Sequence, residues 1–469
     1  MDTSEPTTTH LIFVRHGQSF YNRDGTGVAE DSGLTELGWQ QAHLVADWLG
    51  RNFTADALLS SSLRRAIQTA DVIGQQIGLQ PEIWPGLDES RLPYWTEFPT
   101  AADAPLAGWD RPWQPDSTNA PMYTRFRQQL RETMAALMER YLGRTVILVA
   151  HGGTIGTIVR SLFGGHQMPI FTENGGVTHL VWQEGRWRLI SHNERAHLGD
   201  PSLPALTPWA EPGPIRTIVE QFGRAAAAYP LEPEPIVAAQ LRDLVAMAGA
   251  RPTDHLLDVG TGAGAVALAF AAQVARVTAV DIAPAMLERA ELARVEHGAG
   301  NVDIRWADAA ALPYAAGTFD LVTGRDLLCY FGELGPLFEG FRRVLRPDGK
   351  LLLDEVVGSE DPVKRATHQA LEMQRDPAIA RLYCESEIKR ALEQAGFRLE
   401  QVELYQVAQN AQTWLAASPL TAEERGRLLE MLGDSIEEDA AGLHIRREKN
   451  GDLTFAVRRL RLLARPMSG

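Results

Sequence analysis

The sequence predicts an α/β protein with two domains. Two sets of short apolar runs, each followed by glycine-containing turns and helical patterns, are separated by a proline-rich stretch. Strands and helices that alternate in this way are typical of open sheets with helices on their faces. At 469 residues the chain is too long for one ordinary domain, and 45% hydrophobic residues are enough for two full cores.

The first apolar run, LIFV, ends in Arg15, His16 and Gly17. Because ligands of open α/β sheets lie beyond the carboxyl ends of the strands, this guanidinium and this imidazole are both predicted to face a substrate. An arginine there can bind two phosphate oxygens, and a histidine can attack phosphorus. The tripeptide alone is weak support for a phosphate site, so the other motifs matter.

Four further segments follow, and all of them fit such a site. They are the capped helix start LTELGWQQA with Thr35, the strand and helix of SSLRRAIQTA with Arg65, the apolar approach to Glu89 in LDES, and the buried strand of TVILVAHGG that ends at His151. With these motifs, roughly the first 195 residues resemble the histidine phosphatase superfamily, which includes the cofactor-dependent phosphoglycerate mutases. The resemblance implies a phosphoglycerate mutase-like α/β sandwich.

The resemblance also implies residue roles. His16 would become phosphohistidine, and Glu89 would protonate the leaving alcohol and then activate water. The groups around the phosphoryl group would be Arg15, Arg65 and His151, with Asn22 as a further phosphate contact. Two arginines and two histidines can stabilise a transferring phosphoryl group without a metal, and we expect none. Arg64, one position earlier, is expected to project toward solvent or a substrate tail.

The chain departs from the family after Glu89. The segment SRLPYWTEFPTAADAPLAGWDRPWQPDSTNAP is rich in Pro, Trp and Asp, and its length predicts a lid or specificity loop. Trp95, Trp109 and Trp113 would either line a substrate pocket or pin the loop to the domain.

Composition limits the partners. The formal net charge of −15 disfavours nucleic acids and anionic membranes, but not a small anionic metabolite that meets local arginines and histidines. The two cysteines, Cys329 and Cys384, have no zinc-type spacing. The polar, acidic N-terminus does not resemble a signal peptide, and no run is long enough to span a bilayer, so we expect a cytoplasmic location. Oligomeric state cannot be deduced from the sequence.

The proline-rich stretch HLGDPSLPALTPWAEPGPI predicts a semi-rigid spacer. The predicted domains are therefore 1–200 and 215–469, with a linker at 201–214. Before the spacer, VTHLVWQEGRWRLISH predicts a hairpin that turns at Glu184 and Gly185.

The second domain opens with HLLDVGTGAGAVALAFA, a buried strand followed by a glycine-rich loop and a helix. Glycines let the backbone approach a ligand closely, but such loops also bind dinucleotides, so this motif leaves the cofactor open. Asp281 ends the next strand and could accept hydrogen bonds from both ribose hydroxyls, which NAD would equally require. Asp308, after a third strand, is suited to the adenine amino group.

Taken together, about residues 215 to 469 resemble a class I S-adenosyl-L-methionine-dependent methyltransferase of the small-molecule type, with a Rossmann-like sheet of seven strands. The resemblance implies a cofactor site with these members: Asp258, Gly260, Gly262 and Gly264 at the methionine end, Asp281 and Ile282 at the ribose with Met286 nearby, Asp308 and Ala309 at the adenine, Arg325 toward cofactor and substrate, and Tyr229 closing over the methionine moiety. For Met286 and Tyr229, core packing is the alternative.

Relatives often carry paired histidines where this chain reads LLCYF, so the sequence identifies no general base for methyl transfer. Because the sulfonium already activates the methyl group, orientation is the first requirement. Glu355, His368 and His444 are candidates for the base, each with a structural alternative.

The sequence thus predicts a bifunctional enzyme that hydrolyses a small phosphorylated metabolite and methylates a small-molecule acceptor, on one biosynthetic route. Two alternatives concern the first domain. It could act as a phosphoglycerate mutase, or it could be a phosphoprotein phosphatase or phospho-ligand sensor that regulates the methyltransferase.

Overall fold

A computed structural model describes residues 8–25, 31–90, 94–98, 114–166, 168–199, 213–416 and 418–467. The chain divides into two compact units, Met1–Trp209 and Ala210–Gly469. Most of the predicted spacer lies outside the described residues.

The first unit is built on a six-stranded sheet in the order β3-β2-β4-β1-β5-β6. Its described strands are β1 (Thr9–Arg15), β2 (Ala57–Ser60), β3 (Glu82–Ile83), β4 (Thr145–Ala150), β5 (Val177–Gln183) and β6 (Arg186–Glu194). Its described helices are α1 (Phe20–Asp24), α2 (Glu36–Asn52), α3 (Arg64–Ile77), α4 (Pro121–Tyr141) and α5 (Gly152–Phe163), with 3₁₀ turns at Pro85–Leu87, Tyr94–Glu97 and Ala196–Leu198. The neighbouring strands β3, β2, β4 and β1 run parallel, whereas β5 is antiparallel to β1 and β6 is antiparallel to β5.

Both faces of this sheet are covered. Leu11 and Phe13 of β1 belong to the core that includes Tyr123 of α4. Ile12 and Val14 alternate with them, point to the opposite face and are equally buried. The first unit is therefore the predicted α/β sandwich.

Local signals in the sequence explain two of these elements. The Thr35 side chain accepts a hydrogen bond from the Gly38 amide and caps α2, as its motif predicts. The hairpin of β5 and β6 turns at Glu184 and Gly185, which both have positive φ. This is the conformation that two-residue hairpin loops require.

The second unit has helices on an eight-stranded sheet in the order β12-β14-β11-β10-β7-β8-β9, with a short β13 added beside β14. The described strands are β7 (His255–Val259), β8 (Arg276–Asp281), β9 (Val302–Trp306), β10 (Phe319–Arg325), β11 (Leu345–Val356), β12 (Phe397–Asn410), β13 (Arg446–Arg447) and β14 (Leu453–Pro466). The described helices are α6 (Pro214–Ala225), α7 (Pro235–Ala248), α8 (Ala265–Ala271), α9 (Pro284–Glu296), α10 (Gly335–Val344), α11 (Pro362–Arg375), α12 (Glu385–Gln394), α13 (Ala411–Ala416) and α14 (Ala422–Asp434). Five neighbouring strands are parallel, in the order β11-β10-β7-β8-β9. Strand β14 pairs antiparallel with β11. This is the predicted Rossmann-like arrangement of seven strands with one small addition.

A buried ionic network joins β11 to β14. Asp354 has no exposed surface, and its carboxylate accepts hydrogen bonds from Arg459 Nε at 2.9 Å and Arg461 Nη2 at 3.3 Å. The Tyr405 hydroxyl of β12 donates to the same carboxylate at 2.9 Å. A buried carboxylate is tolerated only when it is paired, so these three strands are fixed in register.

Among the described residues, no helix has both the length and the apolar character needed to cross a membrane.

Gly38→Ala should destabilise the first unit. A Cβ at Gly38 of α2 would overlap the backbone carbonyl oxygen of Gln18, and overpacking of this kind costs about 1–3 kcal/mol. Gly50→Ala in the same helix is the matched control, because the nearest heavy atom, Gln76 Cγ, would be 3.5 Å away. This control should be neutral or stabilising by up to about 1 kcal/mol. Urea unfolding of the full chain, followed by circular dichroism, measures the difference, and equal midpoints for the two variants would contradict the prediction.

Candidate active sites

The register of two parallel strands creates the first site. Arg15 at the end of β1 pairs with Ala150 at the end of β4, so the next residues, His16 and His151, are neighbours. Their ring centroids are 4.9 Å apart, and both side chains are almost completely buried. The two predicted histidines thus meet at the carboxyl edge of the sheet.

The hydrogen bonds of His16 define its tautomer. Its Nδ1 lies 2.7 Å from the carbonyl oxygen of Gly17, which can only accept, so Nδ1 carries the proton. Arg65 Nε donates to His16 Nε2 at 3.1 Å. Nε2 is therefore unprotonated, and its electron pair accepts the Arg65 hydrogen bond; an unprotonated nitrogen is what a nucleophilic imidazole needs.

The electrostatic surroundings keep both imidazoles neutral. Burial lowers the pKa of His16 well below its ordinary value, and the charges of Arg65 and Arg15 lower it further. Burial, Arg65 and Arg15 depress the pKa of His151 in the same way. Burial also lowers the pKa of Arg15.

His151 ends a chain of side-chain hydrogen bonds. Its Nε2 is 2.7 Å from Ser61 Oγ, and Ser61 donates to Asp88 Oδ1 at 2.8 Å. Because the single hydroxyl hydrogen of Ser61 goes to the carboxylate, His151 Nε2 is the donor in the first of these bonds. His151 Nδ1 is buried and has no hydrogen-bond partner.

Arg15 supplies a second buried polar atom without a partner. One end of its guanidinium, Nη1, donates to the carbonyl oxygen of Thr172, while its Nε is buried and unpaired. Unpaired buried polar atoms are costly, so two of them around one nucleophile indicate a site for a polar ligand.

Glu89 is held at the start of α5. Its carboxylate accepts hydrogen bonds from the Gly153 amide at 2.8 Å and the Ser90 amide at 3.0 Å. Burial raises the pKa of this carboxyl, although the two amides and the arginines oppose the shift. A Cβ at Gly153 would overlap both Glu89 and the Tyr94 hydroxyl, so this glycine gives the carboxylate its room. Glu89 is thereby suited to hold and release a proton.

Other predicted residues of this unit are placed as follows. Asn22 lies in α1, where its side chain closes a capping box with Ser19 and accepts from Asn174, which also donates to the His16 carbonyl. Arg64 is half-buried, and its amide donates to Asp31. Trp95 is 59% exposed, whereas Trp109 and Trp113 lie outside the described residues.

Sequence reasoning missed Ser61, Asp88, Thr69 and Asn174. Thr69 Oγ1 accepts from the Gly17 amide at 3.1 Å and therefore supports the turn after β1. Ser61 lies in the motif SSLRRAIQTA and Asp88 in the motif LDES, so the sequence places them near Arg65 and Glu89. Their contacts with each other depend on the tertiary fold.

In the second unit the glycine-rich loop is anchored from below. Asp258, at 1% exposure, accepts from Thr261 Oγ1 at 2.6 Å, and burial raises its pKa to about 7. Gly260, Gly262 and Gly264 all have positive φ. Nothing lies within 4 Å of a Cβ built on Gly262, so the loop faces open space there. Thr261 was not predicted, and its hydroxyl links Asp258 to the loop.

Asp281 connects the loop to the second strand. Its two carboxylate oxygens accept from the Gly262 amide at 2.8 Å and the Ala283 amide at 2.9 Å, and burial raises its pKa. The carbonyl of the next residue, Ile282, accepts from Trp306 Nε1 at 2.9 Å. Asp308 accepts from Ala310 and caps the short turn that begins at Ala309.

The remaining members lie nearby. Met286 is buried in one apolar cluster with Ala283, and Tyr229 packs against it. Burial raises the pKa of Tyr229 to about 12. Arg325 donates to Gln240 Oε1 at 2.9 Å and pairs with Asp326 at 3.3 Å.

The donor set is compatible with S-adenosylmethionine. The open space over Gly262 admits an approaching ligand, and the loop contributes no side chains at its three glycines. The Asp281 carboxylate at the strand end is the kind of acceptor that ribose hydroxyls require. We therefore find that the residues fit the nucleoside cofactor implied by the sequence.

Each of the three candidate bases contacts another group of the protein. Glu355 is 2% exposed and accepts from the amides of Leu327 and Leu328, and burial raises its pKa to about 8. His368 is buried beside Glu372, with its Nε2 3.6 Å from the carboxylate. His444 is half-exposed and lies 3.4 Å from Asp439.

Comparisons with known proteins match both units. The family description "Histidine phosphatase superfamily (branch 1)" matches residues 11–195, and "Methyltransferase domain" matches residues 257–353. Glucosyl-3-phosphoglycerate phosphatase of Mycobacterium tuberculosis is 32% identical over 197 residues, which are 38% of this chain and 86% of that protein. The uncharacterized methyltransferase YcgJ of Bacillus subtilis is 26% identical over 216 residues, 46% of this chain and 85% of that protein. The crystal structure of YcgJ covers 49% of this chain and 99% of its own, with 25% identity and a TM-score of 0.47.

Arg65→Met should raise the pKa of His16, because it removes the charge that most strongly disfavours imidazolium after burial itself. The matched control is Arg64→Met, the preceding residue in the same helix, which should leave the His16 titration unchanged. Nitrogen-15 NMR of the histidine-labelled full chain can measure both titrations. An unchanged His16 in Arg65→Met, or an equal shift in the control, would contradict the prediction.

Proposed function

Because the chain belongs to the histidine phosphatase superfamily through its first unit and carries a methyltransferase domain in its second, we propose that it is a bifunctional enzyme. It hydrolyses a small phosphomonoester and transfers a methyl group from S-adenosylmethionine to a small molecule. Both families consist of enzymes, and the finer assignment rests on the two sites.

One observation supports hydrolysis most directly. The unprotonated His16 Nε2 lies among buried cationic and polar groups, and Arg15 Nε is a buried hydrogen-bond donor that has no partner. A phosphoryl group placed there would receive hydrogen bonds and positive charge at once. His16 would attack phosphorus, and Glu89 would protonate the departing alcohol and later take a proton from water. Asn22 would add a phosphate contact.

The burial of the site and the name of a similar protein support the substrate class that we propose. The two histidines and Arg65 are buried, so the phosphate must enter a recess. The similar mycobacterial protein is named for a phosphorylated glucosyl glycerate. A small phosphorylated metabolite is therefore the substrate we propose.

For methyl transfer, the glycine-rich loop, Asp281 and Asp308 would hold the cofactor. Its bound sulfonium would supply an already activated methyl group. Asp281 and the Ile282 backbone would orient the ribose, with Tyr229 and Met286 beside it. Asp308 and Ala309 would flank the adenine, and Arg325 would contact cofactor and substrate.

A phosphoglycerate mutase or a phosphate sensor remains an alternative for the first unit. Glu89 favours an enzyme over a sensor, because binding alone needs no buried proton donor. Release of free phosphate without bisphosphoglycerate would favour hydrolysis over mutase action.

The proposed location is the cytoplasm, since Cys329 and Cys384 are both free thiols, as is usual in a reducing compartment.

We further propose that both units act on one biosynthetic route. The support is the presence of two complete sets of site residues in a single chain. A methyltransferase that accepts only the phosphorylated, or only the dephosphorylated, form of a compound processed by the phosphatase would establish the route and its order. A true acceptor that never carries phosphate would disprove it.

Glu89→Gln should slow the hydrolysis of glycerol phosphate by about 10²- to 10⁴-fold, because an alkoxide leaves poorly without a proton. p-Nitrophenyl phosphate should be affected much less, since its phenolate leaves unaided. His16→Ala should abolish both reactions. Phosphate release by the full chain in the presence of a chelator measures the effects.

Glu82→Gln is the control for these variants, because Glu82 is an exposed carboxylate that pairs with Arg140. It should retain wild-type rates with both substrates. An active His16→Ala protein, or activity that disappears with the chelator, would disprove the proposed phosphohistidine intermediate.

Asp281→Ala should weaken S-adenosylhomocysteine binding on the order of 10- to 100-fold, as expected when charge-assisted hydrogen bonds are lost. Asp303→Ala is the matched control. Asp303 lies on the next strand and pairs with Arg276, so its loss should leave affinity unchanged. Isothermal titration calorimetry of the full chain measures both, and NAD should not compete. Tight NAD binding without a response to S-adenosylhomocysteine would overturn the cofactor assignment.

A further inference from the structure

The turn after β10 lies beside the proposed cofactor loop. A Cβ on Gly260 would lie 2.8 Å from Leu327 Cδ1, so the start of this turn touches the loop directly. Three residues later, the ring of Tyr330 packs edge-on against Phe222, with centroids 5.6 Å apart. The Phe222 ring also packs near the Tyr229 ring, with centroids 6.4 Å apart. Tyr330 therefore stands at the edge of the proposed cofactor site and is half-buried.

The Tyr330 hydroxyl has one strong partner. It donates to Asp376 Oδ2 at 3.0 Å, while the other oxygen of this buried carboxylate accepts from the Ala378 amide at 3.0 Å. The segment that carries Asp376 is tied to the turn by the amides of Ala380 and Arg381. Both donate to the Cys329 carbonyl, at 2.8 and 3.1 Å. The backbone thus fixes the distance between phenol and carboxylate.

The charges around the pair are compatible with a moving proton. Burial raises the pKa of Tyr330 well above its ordinary value, so the phenol stays protonated. Burial also raises the pKa of Asp376, although Arg375 and the Tyr330 hydrogen bond oppose this. Cys329, Tyr229 and Glu372 are the other titratable groups that face the pair. A protonated phenol hydrogen-bonded to an ionised carboxylate can pass its proton on while it receives another.

We propose that Tyr330 and Asp376 form the proton relay of the methyl transfer, and that the acceptor is therefore a hydroxyl compound. This inference rests on the proposed methyltransferase function and supplies a base where the sequence alone identified none. Tyr330 would be the catalytic residue that touches the acceptor, and Asp376 the positioning residue that receives the proton through it.

The step balances. The acceptor oxygen forms a bond to the methyl carbon while the carbon–sulfur bond breaks, and that bond's electron pair stays on sulfur. The acceptor proton moves to the Tyr330 oxygen, and the Tyr330 proton moves to Asp376. The products are a methyl ether or ester, a neutral thioether and a protonated carboxyl, which later releases its proton to solvent.

Neighbouring groups are less suited to this role. Glu355 is almost completely buried, and its carboxylate is occupied by the Leu327 and Leu328 amides, so it holds the turn in place. The Cys329 thiol lies near the Asp326 carbonyl at 3.9 Å, and burial raises its pKa.

The first test needs no acceptor. Full-length protein carrying [¹³Cζ]tyrosine and saturated with S-adenosylhomocysteine is titrated by NMR, with the Tyr330 signal assigned from Tyr330→Phe. The signal should move as Asp376 takes up a proton, and it should stay fixed over the same pH range in Asp376→Asn. A Tyr330 signal that does not respond to pH in the wild type would overturn the relay.

The second test uses methyl-¹³C S-adenosylmethionine and a small-molecule cell extract as the acceptor source. The labelled product should be an O-methyl compound. With that product's precursor, Tyr330→Phe and Asp376→Asn should each lower kcat by about 10²- to 10⁴-fold with little change in KM. The wild-type kcat should fall as pH drops and Asp376 becomes protonated, and this acid limb should vanish in Asp376→Asn.

Tyr383→Phe is the matched control, because the Tyr383 hydroxyl donates to the Phe331 carbonyl at 2.8 Å in the same unit. It should keep the wild-type kcat and acid limb. A product methylated on carbon, or full activity in Tyr330→Phe, would overturn the relay while leaving the methyltransferase assignment intact. Failure of the wild type to bind S-adenosylhomocysteine would instead reject the proposed function itself.

Discussion

The parallel pairing of Arg15 with Ala150 is the contact on which the first site depends. It places two imidazoles side by side at the carboxyl edge of the sheet, and the helix after β2 adds Arg65 from the adjacent strand. Since a register slip of one residue would turn these side chains to the other face, the hydrophobic pattern that sets the register also sets the chemistry. The buried run from Leu11 to Val14 is thus as important to the site as the polar residues that follow it.

The same geometry organises the second unit with different side chains. Carboxylates rather than cations lie at its strand ends, and Asp281 accepts hydrogen bonds from the Gly262 amide of the glycine-rich loop and from the Ala283 amide. Asp258 supports the loop from below, while Asp281 reaches it from the neighbouring strand. Buried polar atoms at the first site therefore lack partners, whereas the Asp258 and Asp281 carboxylates of the second unit are hydrogen-bonded.

Much of this could be predicted because the signals are local. An apolar run followed by His16 or His151 marks a strand end, and Thr35 marks a helix start. Contacts between distant loops could not be predicted, and the Tyr330–Asp376 pair spans 46 residues with no pattern to connect them. The pairing of β11 with β10 could not be predicted in detail either, because the register shifts between the Phe319–Leu345 and Leu321–Lys350 pairs.

The buried network around Asp354 has a consequence for how the chain is made. Its two arginines lie on β14, which is inserted between β11 and β12, so this side of the second sheet needs residues translated more than a hundred positions after Asp354. The strands of the first unit are complete by Glu194. During synthesis the first unit can therefore fold before β14 of the second unit has been made. Until then the Asp354 carboxylate is unpaired, and β11 and β12 each have an open edge where β14 will pair. Unpaired strand edges favour aggregation, so this interval exposes the second unit to a risk that the first unit does not share.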